Sequence, residues 1–177
     1  LYNISETLQG VGIEHKLKEA LEPLEGLYDY IIIDTPPSLS ILTINALTAS
    51  HYAIIPAQAD IYSMQGIGQL AETIQVVQKY TNPSLVILGI VLTRHNPRTI
   101  LSKDLEEMIE ETANSLGTIK FNTFIRENVA VKEAQAMRAS LFTYAPKSNA
   151  GIDYKAFLDE VLTRIEEVNH GKEKLQK

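Results

Sequence analysis

The sequence predicts an α/β domain with a doubly wound, mostly parallel sheet. Four short apolar runs, each bounded by polar residues, glycine or proline, are typical of strands buried inside a sheet. They alternate with segments of helical period, and no hairpin signal joins any two of them, which favours right-handed βαβ connections. The 177 residues have room for one sizeable core. We therefore expect a single domain, with a lead-in at 1–27, a core at 28–168 and a tail at 169–177.

The first predicted strand, Tyr28–Asp34, contains three consecutive isoleucines and is followed shortly by two prolines. Its continuous apolar run is typical of a strand buried on both faces of a parallel sheet. Pro36 fixes its own φ and restricts Thr35, so a stiff turn follows the aspartate. We expect Asp34 to lie at the carboxyl edge of a central strand, where open α/β sheets bind ligands. The alternative is that Asp34 merely caps the next helix.

The later elements continue the alternation. Helices are predicted at 14–22, from Ser38 or Ser40 to Ala49, and at 64–80, 99–116, 128–138 and 152–168, with strands at 52–56, 85–93 and 119–125. Gly66 and Gly68 belong to a GxGxxA pattern, but no strand leads directly into it. We therefore expect close packing at a helix start there rather than phosphate binding. The polar tail is expected to fray.

Composition excludes several classes of site. The chain has no cysteine, so it forms neither a disulfide nor a thiolate metal site. No apolar run approaches the length of about 18 residues that suggests a membrane span. The net charge of −6 is unevenly distributed, because residues 1–92 carry the whole excess of acidic groups and residues 93–177 are balanced. Contact with a polyanion is therefore expected in the second half.

Three separated motifs indicate a relationship to a known family. They are IIIDTPPSLSILTINAL, TFIRENVAVKEAQA and YAPKSNAGIDY, in that order. Together they resemble the ParA family of deviant-Walker ATPases, which partition plasmids and chromosomes. The resemblance implies a P-loop NTPase-like fold with ATP and Mg²⁺ as cofactors. The chain contains no GxxxxGK[ST], so the family's phosphate-binding loop is expected to precede Leu1, and the fold to be truncated at its N-terminus.

The resemblance also assigns roles around the phosphates and the first base-flanking loop. Asp34 would hold a water on the Mg²⁺ that bridges the β- and γ-phosphates, while Thr35 and Pro36 form part of a switch that senses the γ-phosphate. Thr93 and Arg94 begin a loop that lies beside the adenine in ParA-like proteins. In the same loop, His95 has no evident carboxylate partner in the sequence and is expected at the surface.

The second base-flanking loop corresponds to Ile125–Val129. Arg126 stands where relatives often have a proline that packs on the base, and an arginine can stack there instead. Asn128 keeps the residue type of the family, although a role as a helix cap is an equal alternative.

A basic strip for DNA is implied by the same resemblance. Arg98 aligns with an arginine that contributes to sequence-independent DNA binding, and Lys132 lies close to the position of another. We expect these two to assemble with Arg126, Arg138 and Lys147. The alternative is that each is an ordinary solvated charge.

The implied function is plasmid or chromosome partition by a cytoplasmic, nucleoid-associated protein. The intact protein would bind ATP and Mg²⁺, form a homodimer, bind non-specific DNA and hydrolyse ATP with a ParB-like partner, without contacting a membrane. The 177-residue chain alone is expected to be inactive. The alternatives are a non-catalytic DNA- or partner-binding module, and a ParA-like ATPase that positions other cargo.

Overall fold

The computed structural model describes residues 10–96 and 100–175, with the backbone alone at 100–103 and 172–175. The chain divides into two compact units. One comprises the residues up to 53 together with 68–86, and the other comprises 54–67 together with the residues from 87 onwards. The expectation of a single domain stays a prediction.

Helices and strands alternate as the sequence predicts. The helices are α1 (Lys16–Leu21), α2 (Ile41–Ala49), α3 (Ile61–Tyr80), α4 (Ile100–Ser115), α5 (Val129–Ala136), α6 (Leu141–Tyr144) and α7 (Asn149–Leu175). The strands are β1 (Tyr52–Ala57), β2 (Val86–His95) and β3 (Ile125–Arg126). Short 3₁₀ turns at Ile13–His15 and Glu22–Leu24 flank α1. None of the described helices combines the length and apolar character needed to cross a bilayer.

The sheet has the order β1-β2-β3, with β2 at its centre. The middle of β2, residues 88–92, is buried, as expected for a strand covered on both faces. β2 and β3 run parallel, with Thr93 opposite Ile125 and His95 opposite Arg126. An isolated parallel bridge joins Ile90 to Lys120, so the strand predicted at 119–125 forms only in part. Parallel pairing with helices between successive strands confirms the predicted α/β class.

The predicted opening strand is not formed. Residues 30–36 have no regular secondary structure, and Ile31 and Ile32 are 44% and 89% exposed. Three isoleucines favour a strand, but a strand also needs neighbours for its backbone N–H and C=O groups. No described residue forms a ladder with this segment. The prediction of a strand buried on both faces is therefore wrong for the described structure.

Two asparagines hold the first unit together around α2. Asn45 accepts a hydrogen bond from the Leu17 N–H and donates one to the Ile13 carbonyl, at 3.0 and 2.8 Å, which joins α1 to α2. Asn82 donates to the carbonyls of Leu47 and Ser50, at 2.9 and 2.7 Å. These carbonyls lie at the C-terminal end of α2, where helical partners are missing.

The loop before β3 is fixed to the long final helix. Glu160 of α7 accepts hydrogen bonds from the backbone N–H groups of Asn122 and Thr123, at 2.7 and 2.9 Å. Phe121 packs edge-on against Phe157 of the same helix. On its other side, Phe121 lies against β2 at Gly89, where an added Cβ would approach its ring to 2.7 Å. These contacts determine where the end of β3 lies relative to α7.

Two smaller expectations are corrected. An added Cβ would meet nothing within 4 Å at Gly66 or Gly68, which lie inside α3, so close packing does not explain them. The final helix, α7, continues to Leu175, past the predicted helix end at residue 168. The short helix α6 had no periodic signal long enough to predict it.

Candidate nucleotide-binding site

Asp34 lies in an exposed loop of the first unit. Its side chain makes no hydrogen bond or ion pair with the described residues, and Thr35 and Pro36 beside it are also exposed. The loop is anchored farther on, where the Thr43 hydroxyl of α2 donates a hydrogen bond to the Ser38 carbonyl at 2.6 Å. The exposed carboxylate is available to a ligand. The expected position of Asp34 at the end of a paired strand is not observed.

The end of β2 carries two more of the predicted residues. The Thr93 hydroxyl donates to the Ala57 carbonyl of β1 at 3.2 Å, so it contributes to the sheet. Arg94 has a φ of 51°, a left-handed conformation that is uncommon for a residue with a side chain. Its guanidinium is exposed and donates to Glu127, which follows β3 directly, with an Nη2–Oε1 distance of 3.1 Å. The predicted base-flanking loops therefore lie side by side.

Glu127 is shared by two cations. Lys132 Nζ lies 3.6 Å from the same Oε1 atom that accepts from Arg94. The hydrogen bond and charge of Arg94, supported by Lys132, lower the pKa of Glu127 below its ordinary value. All three side chains are more than half exposed, so solvent screens these pairs. Their effect is to offset local positive charge rather than to stabilise the fold.

Arg126 is held by Asp153 in the first turns of α7. Its Nε donates to Oδ2 at 2.9 Å, its Nη2 donates to Oδ1 at 2.6 Å, and its backbone N–H donates to Oδ2 at 3.0 Å. Burial alone would raise the pKa of Asp153, but the hydrogen bonds and charge of Arg126 outweigh it and lower that pKa. The pKa of Arg126 is correspondingly raised, chiefly by the hydrogen bond to Asp153. The sequence analysis did not identify this aspartate.

Asn128 performs the capping role that was one of its two predicted roles. Its Oδ1 accepts a hydrogen bond from the Ala130 N–H at 2.9 Å at the start of α5. The cap uses the amide oxygen. Contact of Asn128 with a base stays a prediction.

His95 is not at the surface. It is 3% exposed, its Nε2 lies 3.5 Å from Glu106 Oε2 on α4, and its ring packs edge-on against Phe124. Lys120 lies 2.9 Å from the other oxygen of Glu106, so this carboxylate faces two basic groups. The expectation of an exposed histidine without a carboxylate partner is wrong, because the helix that supplies Glu106 returns across the end of β2.

The predicted basic strip is represented only in part. Arg98 lies outside the described residues. Arg126 and Lys132 are paired with carboxylates, while Arg138 and Lys147 are exposed and make no ion pair within the described ranges. The described residues include no group of three or more His, Asp or Glu side chains arranged to hold a metal ion.

Comparison with known proteins agrees with the motifs. A family model described as an AAA domain matches residues 1–87. The sporulation initiation inhibitor protein Soj of Bacillus subtilis is 40% identical over 156 residues, which are 88% of this chain and 60% of that protein. The chromosome-partitioning ATPase Soj of Thermus thermophilus is 35% identical, over 93% of this chain and 64% of that protein. The chain thus spans somewhat less than two thirds of these relatives.

Solved structures give the same fold. Cobyrinic acid a,c-diamide synthase from Mycobacterium smegmatis, with bound ADP and magnesium, is 33% identical and superposes with a TM-score of 0.74. The match covers 93% of this chain and 59% of that chain. The predicted doubly wound α/β fold, shortened relative to its neighbours, is confirmed. By its motifs, its fold and these relatives, the chain belongs to the ParA family.

Proposed function

We propose that this chain is a portion of a ParA-type ATPase that partitions plasmids or chromosomes. The observation that supports a nucleotide site best is the parallel pairing of β2 with β3. It brings Arg94 and the Arg126–Asn128 loop to one edge of the sheet, with Arg94 bonded to Glu127 across the gap. Ligands of doubly wound folds bind at this carboxyl edge.

In this proposal the adenine lies between the two loops. Thr93 and Arg94 flank it on one side, and Arg126 and Asn128 flank it on the other. The Arg126 side chain keeps 38% of its surface exposed while paired with Asp153, which leaves area for a base. Planar guanidinium groups stack on aromatic rings, so the replacement of the family's proline is compatible with base binding.

The phosphates and the magnesium ion belong to the Asp34 loop. The Asp34 carboxylate fits this ion, since it is exposed, has no partner among the described residues and offers the oxygen ligands that Mg²⁺ prefers. Asp34 would hold the ion through a water. When bound, Mg²⁺ supplies neutralisation of the phosphate charge. Thr35 and Pro36 form the stiff turn that would respond to the γ-phosphate, and the family's phosphate-binding loop would supply the remaining phosphate contacts.

The proposed biology follows the family. The intact protein forms a homodimer with ATP bound, binds DNA without sequence preference and hydrolyses ATP when a ParB-like partner docks. It acts in the cytoplasm, on the nucleoid rather than on a membrane. Arg98 and Lys132 are the proposed DNA contacts.

ATP turnover by the intact protein tests the enzymatic part. We expect hydrolysis that DNA and a ParB-like partner stimulate, and loss of that turnover in Asp34→Ala. Asp29→Ala is the matched control, because it removes another exposed aspartate of the same segment. The 177-residue chain alone is expected to show no turnover. Steady hydrolysis by this chain, abolished by Asp34→Ala, would contradict the assignment of the phosphate loop to another segment.

Binding to random duplex DNA across a salt series tests the second part. Each phosphate contact that is lost reduces the slope of log affinity against log salt by about one. Arg98→Glu should weaken binding and flatten the slope, whereas Lys18→Glu, on the exposed side of α1, should leave both unchanged. Equal behaviour of the two variants would remove Arg98 from the interface.

A non-catalytic binding module is the second candidate. In that case the intact protein would bind DNA or its partner with the same affinity in the presence and absence of ATP. A ParA-like ATPase for other cargo would instead keep its ATP dependence without a requirement for partition sites on DNA.

A further inference from the structure

The pair formed by Arg126 and Asp153 is the most completely bonded ion pair in the described part of the chain. Both carboxylate oxygens accept from the guanidinium, and one of them also accepts from the Arg126 backbone N–H. Bidentate pairs of this kind fix the plane of the guanidinium as well as its position. Asp153 itself is 8% exposed, and it is fixed in turn by its place in α7.

The pairing with Asp153 gives hydrogen-bond partners to some of the guanidinium nitrogens of Arg126 and leaves others without one. Nε and Nη2 are occupied by Asp153, and the second Nη2 hydrogen points towards the Asn149 carbonyl at 3.5 Å. The two hydrogens of Nη1 have no partner among the described residues. The side chain keeps 38% of its surface exposed, which leaves area on which a base can stack. Asp153 therefore occupies the Nε–Nη2 edge of Arg126, and at the Nη1–Nη2 edge only Nη1 is unpartnered among the described residues.

We propose that Asp153 positions Arg126 as a stacking surface for the nucleobase and sets the preference for adenine over guanine. The inference rests on the proposed nucleotide function. A free arginine fork binds the O6 and N7 acceptors of guanine through two parallel hydrogen bonds. Asp153 occupies the Nε–Nη2 edge, and the Asn149 carbonyl faces the remaining Nη2 hydrogen, so neither edge offers guanine two free parallel donors. Stacking is possible with either base, so the pairing removes an advantage that guanine would otherwise have.

The competing explanation is that Asp153 has a purely structural role. Glu160 serves as the control residue for that explanation. Glu160 lies on the same helix and accepts two backbone hydrogen bonds from a neighbouring loop, but it pairs with no arginine among the described residues. Glu160→Gln should therefore reproduce the loss of stability caused by Asp153→Asn without its effect on nucleotide selection.

Calorimetric titration of the intact protein with ATP, GTP and inorganic tripolyphosphate is the test. In Asp153→Asn we expect ATP to bind about fivefold more weakly, the scale of one lost hydrogen-bond constraint, and tripolyphosphate to bind as before. The ratio of the dissociation constants for GTP and ATP should fall by about tenfold, because the fork becomes free. Glu160→Gln should keep the wild-type ratio.

A double variant tests whether Asp153 acts through Arg126. Arg126→Leu with Asp153→Leu replaces both partners by apolar side chains and so avoids a buried unpaired charge. In the Arg126→Leu background, changing Asp153 should have no further effect on the GTP-to-ATP ratio. An unchanged ratio in Asp153→Asn, or the same change in Glu160→Gln, would overturn the proposal while the nucleotide function stands. Wild-type protein that binds neither nucleotide would overturn the proposed function as well.

Discussion

Arg94 Nη2 lies 3.1 Å from Glu127 Oε1, and this contact joins the end of β2 to the residue that follows β3. The same oxygen lies 3.6 Å from Lys132 Nζ. Arg94, which is proposed to contact the base, and Lys132, which is proposed to contact DNA, thus share the Glu127 carboxylate. In the proposed function, Glu127 would compete with phosphate for both cations.

Removing this competition is expected to strengthen DNA binding. In Glu127→Gln the intact protein should bind random duplex about twofold more tightly at low salt, with a steeper salt dependence, because two cations are no longer offset. Fluorescence anisotropy across a salt series measures both quantities. Glu110→Gln, on the exposed face of α4, is the control with the same change in net charge. Tighter binding in both variants would indicate a general charge effect.

The hydrogen bonds to Glu160 predict a pH dependence of stability. Burial would raise the pKa of this carboxylate, but the N–H groups of Asn122 and Thr123 outweigh it, so the folded pKa lies below the ordinary value of 4.5. A lowered pKa stabilises the folded state above the unfolded pKa, and this contribution is lost as the pH falls through the folded value. Denaturation by urea between pH 6 and about pH 3 should therefore separate wild type from Glu160→Gln at the upper end and bring them together at the lower end. A constant difference across this range would contradict the assignment.

Two glycines provide a matched test of packing. Gly89→Ala should destabilise the intact protein by about 1–3 kcal/mol, because the added Cβ meets the Phe121 ring at 2.7 Å and the Ile119 carbonyl at 2.9 Å. Gly68→Ala lies inside α3 in open space and should stabilise by about 0.5–1 kcal/mol. Thermal unfolding measures both. Destabilisation by Gly68→Ala would show that something packs on this face of α3.

The elements that the sequence predicted well are those with complete local signals. β1 and β2 combine apolar runs with polar or proline-containing boundaries, and Asn128 stands directly before the helix that it caps. The end of α4 is similar, because Gly117 adopts the positive φ of 66° expected of a glycine just past a helix. Each of these features depends on residues close together in the chain.

The features that the sequence did not predict depend on residues far apart. Asp153 meets Arg126 across 27 positions, and His95 meets Glu106 only because α4 returns over the sheet. No periodicity or spacing relates such pairs before the fold is known. The prediction of a strand at Tyr28–Asp34 was wrong for a related reason. A local preference for the strand conformation does not supply the neighbouring strands that must pair with it.

The length of α7 has a consequence for experiments on the intact protein. From Asp153 to Leu175 the helix extends about 33 Å at 1.5 Å per residue, so a tilt of about 10° at the Arg126 pair displaces its far end by about 6 Å. A fluorophore or spin label attached near its last turn would therefore move by several times the displacement that occurs at the Arg126–Asp153 pair. Distance measurements from that label, with and without ATP, would detect tilts of α7 at Asp153 that are too small to measure at Asp153 itself.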